Sequence, residues 1–151
     1  MSIDPTTRAA CQDLLYRYQW LVDHKDLEGL AGIVTDDVEL TRKGSTSTGS
    51  EHFLNLYRAF AASDVEIANH MATNVLFTEL DAGRIRVDSS FLALTTHGTG
   101  EARMIWGRYI DEMVEQDGRM LLAAKEIKVS RTVVLGTEMT FDPTADSFGK
   151  S

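Results

Sequence analysis

The chain has 151 residues, 43% hydrophobic and 25% charged, which suits one globular domain large enough to hold a core with a pocket in it. A net charge of −8 argues against nucleic acid and anionic membrane surfaces as partners, since both are recognised through clustered Lys and Arg. The one cysteine, Cys11, allows no internal disulfide and no thiolate metal cage, and no window approaches the roughly 18 apolar residues of a membrane span. With no signal-peptide pattern at the start, a cytoplasmic location is expected.

Asp4-Pro5 opens the first predicted helix, with Asp4 accepting from free backbone N–H groups and Pro5 at a position where a missing N–H costs nothing. Cys11, Leu14, Leu15, Tyr18, Leu21 and Val22 then recur at helical spacing and form one apolar stripe. The helix should end near Asp23-His24-Lys25. Asp26 can cap a short second helix that buries Leu27, Leu30, Ala31 and Val34. Asp36-Asp37 should break it, leaving a short strand around Val38 and Leu40. The run from Gly44 to Gly49 reads as a loop, and Ser50 as the cap of a third helix with Phe53, Leu54, Tyr57, Phe60 and Ala61 inward.

From Val65 the pattern changes. Turn signals at Asp81-Ala82-Gly83, His97-Gly98-Thr99-Gly100 and Gln116-Asp117-Gly118 divide four long segments, near 66–80, 84–96, 102–115 and 119–135. They should pair as an antiparallel meander. Helices followed by strands imply an α+β domain over 1–137, with a sheet curled around the helices and a cavity between them. Residues 138–151 are expected to be loosely ordered or to form a flap over the pocket.

Three polar residues break local rules. Asp23 puts an anion in the last turn of a helix, where the macrodipole disfavours it by ~0.3–1 kcal/mol. It could also serve only to shape the helix-to-helix turn. His70 lies on a strand in phase with Ala68, Ala72, Asn74 and Leu76, small enough neighbours to leave room for a pocket. The opposite face, Ile67, Met71, Val75 and Phe77, is equally apolar, so alternation does not settle which side faces in. Arg131 follows Ile127 and Val129 at alternating positions, so it points either into the cavity, where it would need an anionic partner, or outward from the strand end. Trp106 and Arg108 share a face with Met104 and Ile110, opposite Tyr109, and read as core or pocket wall. His24, His52 and His97 lie at element ends and read as solvent-exposed. No histidine pair has metal-ligand spacing, and no phosphate loop, dinucleotide fingerprint or nucleophile elbow occurs, so no metal or cofactor is expected.

The runs Leu14–Tyr18, Val22–Asp26 and Thr35–Val38 resemble the opening of SnoaL-like proteins. Asn69–Val75 resembles their histidine-containing strand, and Gly107–Asp111 with Gln116–Arg119 their last hairpin. This resemblance covers about residues 8–135 and implies the NTF2-like (cystatin-like) cone. Within that superfamily the scytalone dehydratases and the hexachlorocyclohexane dehydrochlorinases are similar in pairing an aspartate at the end of the first helix with a histidine on the first long strand. The resemblance implies His70 as general base, Asp23 as its orienter and Arg131 as an aid to a leaving anion or a polarised oxygen. It implies a lyase or isomerase acting on a small cyclic or aromatic compound. Tyr18, Tyr57, Asn74 and Trp106 are candidate substrate contacts on the residues' own placement. The dehydrochlorinases' first-helix lysine falls near Tyr18 here, and the dehydratases' paired tyrosines fall near Val22 and Thr41. The stretch from His70 to Leu135 also resembles the small subunit of aromatic-ring-hydroxylating dioxygenases, so a non-catalytic subunit or a binding module is the alternative. An apolar outer sheet face with Leu92, Leu94, Ile105 and Leu122 predicts a homodimer or homotrimer.

Overall fold

A computed structural model describes residues 3–136; the expected tail, 138–151, lies outside them. The first helix, α1 (Pro5–Asp23), starts as its sequence dictates: the Asp4 carboxylate accepts from the backbone N–H of Thr6 and Thr7. It buries Cys11, Leu14, Leu15, Tyr18 and Val22. Lys25, in the left-handed region (φ 55°), reverses the chain, and Asp26 caps α2 (Leu27–Ala31) through the Gly29 N–H.

Strand β1 (Val34–Arg42) begins earlier than expected and includes Asp36 and Asp37, which are exposed on it rather than breaking a helix. The expected loop at 44–49 contains strand β2 (Ser45–Thr48), paired antiparallel with β1. Thr and Ser are compatible with an exposed edge hairpin, and Lys43-Gly44, both at positive φ, supplies its turn. Helix α3 (Ser50–Ala61) is preceded by Gly49 as its N-cap, and Ser50 is its first helical residue, not its cap.

The meander follows as β3 (Val65–Glu79), β4 (Ile85–His97), β5 (Ala102–Gln116) and β6 (Arg119–Leu135). The sheet order is β2-β1-β6-β5-β4-β3, with β1 running parallel to β6. The helices pack on one face, around a core that includes Phe53, Leu15, Leu30, Val38, Val87 and Met113.

Three irregularities decide which side chains face that core. In β3 the register shifts between Thr73 and Leu76, where Asn74 takes a left-handed conformation (φ 53°). Before it Ala68, His70 and Ala72 face inward and Ile67 and Met71 outward; beyond it Val75 and Phe77 turn in and Leu76 is exposed. In β6 one shift lies opposite Glu112/Met113 and brings both Leu122 and Ala123 into buried positions. The second lies opposite Trp106/Gly107: Gly107 pairs with Val129 and Trp106 with Arg131, so Ser130 is the extra residue. Such a bulge inverts alternation. Two expected outer-face residues are inner ones: Leu122 is buried in the core beside the first β6 shift, and Ile105 lines the cavity described below because it is in phase with the buried Tyr109 along an uninterrupted β5.

Candidate active site

The α1–β3 contact is built on two groups that each lack a local partner. β3 is an edge strand, so its outward N–H groups have no ladder partner. Asp23, at the C-terminal end of α1, finds few backbone donors within its own helix. The two meet: Asp23 Oδ2 accepts from the backbone N–H of His70 at 2.9 Å, while Asp23 Oδ1 lies 2.5 Å from His70 Nδ1. One carboxylate thus fixes both the strand and the imidazole. Both side chains are 15% exposed, partly dried but within reach of solvent. With Asp23 ionised, Nδ1 carries the proton that it donates, and the lone pair is left on Nε2.

His70 forms part of the wall of a cavity of about 190 Å³ between the sheet and helices α1 and α3. Much of that wall is aromatic. Tyr109 stacks on Phe91 at a centroid separation of 4.3 Å, Tyr18 meets Tyr57 and Tyr109 edge-on, and Phe60 stands edge-on to His70. The hydroxyls of Tyr18 and Tyr57 are 2.9 Å apart. Burial, first of all, raises the pKa of Tyr18, Tyr57 and Tyr109 above that of ordinary phenols, so at neutral pH they are uncharged hydroxyls able to donate.

Behind the tyrosines lies a charge pair that sequence reasoning missed. Lys125 Nζ contacts both carboxylate oxygens of Asp111 at 2.9 and 3.1 Å, with side-chain exposures of 0% and 1%. The same ammonium sits 4.0 Å from the ring centroid of Tyr18 and 3.8 Å from that of Tyr109. Burial pushes the Asp111 carboxyl up and the Lys125 ammonium down, and their mutual attraction opposes both shifts. The signal was present: Lys125 is in phase with Ile127 and Val129, and Asp111 with Tyr109 and Met113, on inward faces.

The other expected site residues divide. Tyr18 and Tyr57 line the cavity. Asn74 is exposed at the β3 irregularity, and its left-handed backbone takes it off the His70 face. Trp106 is half-buried on the outer sheet face, because β5 pairs with β4 without interruption and Tyr109 already occupies the inner phase. Arg131 is exposed beside Trp106, turned away from the cavity by the Ser130 bulge. The cavity's guanidinium comes instead from Arg42 at the end of β1, opposite Ile127. His97, expected in solvent, is 7% exposed, with Nδ1 2.8 Å from Asp64 and Nε2 3.3 Å from Thr95 Oγ1. No cluster of three or more metal-ligating side chains occurs among the described residues.

A helical face wrapped by a curved six-stranded sheet around an aromatic cavity is the architecture of the NTF2-like class of cone-shaped domains. Residues 5–125 match the SnoaL-like domain model, and the chain belongs to that family. Comparison with curated protein sequences gives no match. Among solved structures the chain is similar to the hexachlorocyclohexane dehydrochlorinase LinA-type3 from Novosphingobium barchaimii. The two are 25% identical with a TM-score of 0.80, over 91% of this chain and 95% of that one. It is also similar to a protein assigned as a scytalone dehydratase from Novosphingobium aromaticivorans, at 18% identity and a TM-score of 0.78, over 85% and 87% of the two chains. A protein assigned as an aromatic ring hydroxylase from the same species matches at 18% identity and a TM-score of 0.76, over 85% and 95%. The last two likenesses speak to the fold alone.

Proposed function

We propose that this protein is a cofactor-independent lyase or isomerase that acts on a small cyclic or aromatic compound, with His70 as general base and Asp23 as its orienter. The observation that carries the reading is the 2.5 Å contact between Asp23 and Nδ1 of His70, a histidine that itself lines an aromatic cavity. A base whose Nδ1–H is held by a carboxylate keeps its Nε2 lone pair for the substrate, and the carboxylate stabilises the imidazolium once the proton has moved. The proton taken would lie beside a leaving group or a carbonyl. In the Tyr18–Tyr57 hydroxyl pair one O–H is spent between the two oxygens, and the other is left as a donor for an oxygen on which charge develops, in a site dry enough for it to count. Elimination is also the reaction for which the dehydrochlorinase relative is named. Arg131 has no part in this reading, since it stands on the other face of the sheet.

The test is proton–deuterium exchange and product formation, followed by NMR, across small cyclic alcohols, ketones and halides. Wild-type protein should turn over at least one of them. His70→Ala should slow it by about 10²–10⁴, the usual contribution of a positioned general base. Asp23→Asn should also slow it, and equal rates in wild type and both variants would contradict the mechanism. A non-catalytic binding module would bind such compounds in the same cavity and exchange no proton.

A further inference from the structure

The charges around the cavity are nearly all accounted for. Asp23 is committed to His70, and Lys125 to Asp111. Arg42 is the exception. Its side chain is solvent-exposed at the end of β1 while also lining the cavity, and among the described residues no carboxylate lies within ion-pair distance of it. The cavity lining also includes no Asp or Glu, in a chain with 23 acidic residues against 15 basic ones. A wall cleared of acidic side chains around one uncommitted guanidinium is arranged for an anion, because a carboxylate there would have neutralised Arg42 from within.

The placement of Arg42 is fixed by topology. β1 is inserted beside β6, and Arg42 pairs with Ile127, itself a lining residue. Arg42 is near enough to Tyr57 to offset part of the upward push that burial gives that hydroxyl. The rest of the wall, with Phe91, Tyr109, Tyr57 and Phe60, suits a flat ring. A space of about 190 Å³ holds one six-membered ring with a substituent, since cavities of about 150 Å³ already admit benzene.

We propose that Arg42 is a specificity-determining anchor and that the cavity takes a one-ring carboxylate, its carboxylate on the Arg42 guanidinium and its ring among the aromatic side chains. This rests on the reading of the cavity as a substrate site and names the class of compound that it selects. Guanidinium and carboxylate match as a planar, two-point, charge-assisted pair, which lysine cannot reproduce.

Calorimetric titration of the full chain with benzoate and with benzamide at neutral pH tests this. The two probes share size and ring and differ in charge. Wild type should bind benzoate about tenfold or more tightly than benzamide, as expected for a hydrogen bond to a charged group. Arg42→Gln should abolish that preference, Arg42→Lys should restore only part of it, and Arg131→Gln should leave it unchanged. Circular dichroism on each variant establishes that it is folded. Equal affinity for the two probes in wild type, binding of neither, or a preference that survives Arg42→Gln would overturn the proposal. The readout is binding and not turnover. An inactive His70–Asp23 pair would therefore leave the benzoate preference standing, and a mistaken anchor would leave proton exchange intact.

Discussion

Lys125 and Asp111 show how much a single buried pair can carry. Removing both charges from water costs several kcal/mol per ion, and the direct contacts at 2.9 and 3.1 Å repay it only while both partners are present. Truncating one leaves the other as an uncompensated charge under Tyr18 and Tyr109. Lys125→Ala should therefore destabilise the fold by about 3–5 kcal/mol, and Lys125→Met with Asp111→Leu should recover most of that loss. Urea denaturation of the three proteins measures it; an unchanged midpoint for Lys125→Ala would mean that Asp111 has found another partner. Individual residues were unevenly legible in the sequence. Asp23 stood out as an anion at the wrong end of a helix, and His70 as a histidine among small side chains. Arg42 and Lys125 did not, because an Arg at a strand end and a Lys on an alternating strand are ordinary until the neighbouring strand is known.

Elements were read better than their irregularities. Helical periodicity placed α1 and α3, and the Asp-Gly and Gly-x-Gly turn signals placed the four meander strands to within a residue or two. What alternation cannot show is where it is interrupted. Asn74 gave a partial clue, since asparagine tolerates the left-handed conformation better than most residues. Nothing in Val129-Ser130-Arg131 announces a bulge, and that one extra residue separates an Arg131 in the cavity from an Arg131 in solvent. The opposite strand explains why the bulge fits there. A Cβ on Gly107 would lie 1.9 Å from the Lys128 carbonyl oxygen and 3.0 Å from the Phe91 ring, so the backbones of β5 and β6 approach too closely for any side chain. Gly107→Ala should cost about 1–3 kcal/mol or more, as overpacked sites do, and should also disturb Phe91 and with it the cavity wall. Thermal unfolding together with the near-ultraviolet dichroism of the aromatic cluster would register both effects; an unchanged melting temperature would show that the strands can part without loss.

At the scale of the whole molecule, a curled sheet leaves two different surfaces. Its inner face meets the helices and encloses the cavity. Its outer face keeps Ile67, Met71 and Leu76 between 43% and 67% exposed, with Leu92 and Leu94 half-buried among them. Such a face is expected to be covered in a homodimer or homotrimer, and sedimentation at micromolar concentration checks this: a monomer would contradict the expectation. The cone itself, with helices before strands, followed from the order of periodicities along the chain. The cavity's chemistry did not, because it draws on α1, α3 and every strand of the sheet except β2. Contacts such as Asp23 with His70 or Arg42 opposite Ile127 exist only once β3 has become an edge and β1 has entered beside β6.

In the proposed chemistry His70, oriented by Asp23, takes a proton from a small molecule held in this cavity. The most direct measurement is the rate of solvent deuterium exchange into a cyclic ketone or alcohol bound by wild type, His70→Ala and Asp23→Asn, with folding verified for each. Exchange is expected in the wild type, with a loss of about 10²–10⁴ in His70→Ala and a clear loss in Asp23→Asn. Exchange at the wild-type rate in folded His70→Ala would contradict it.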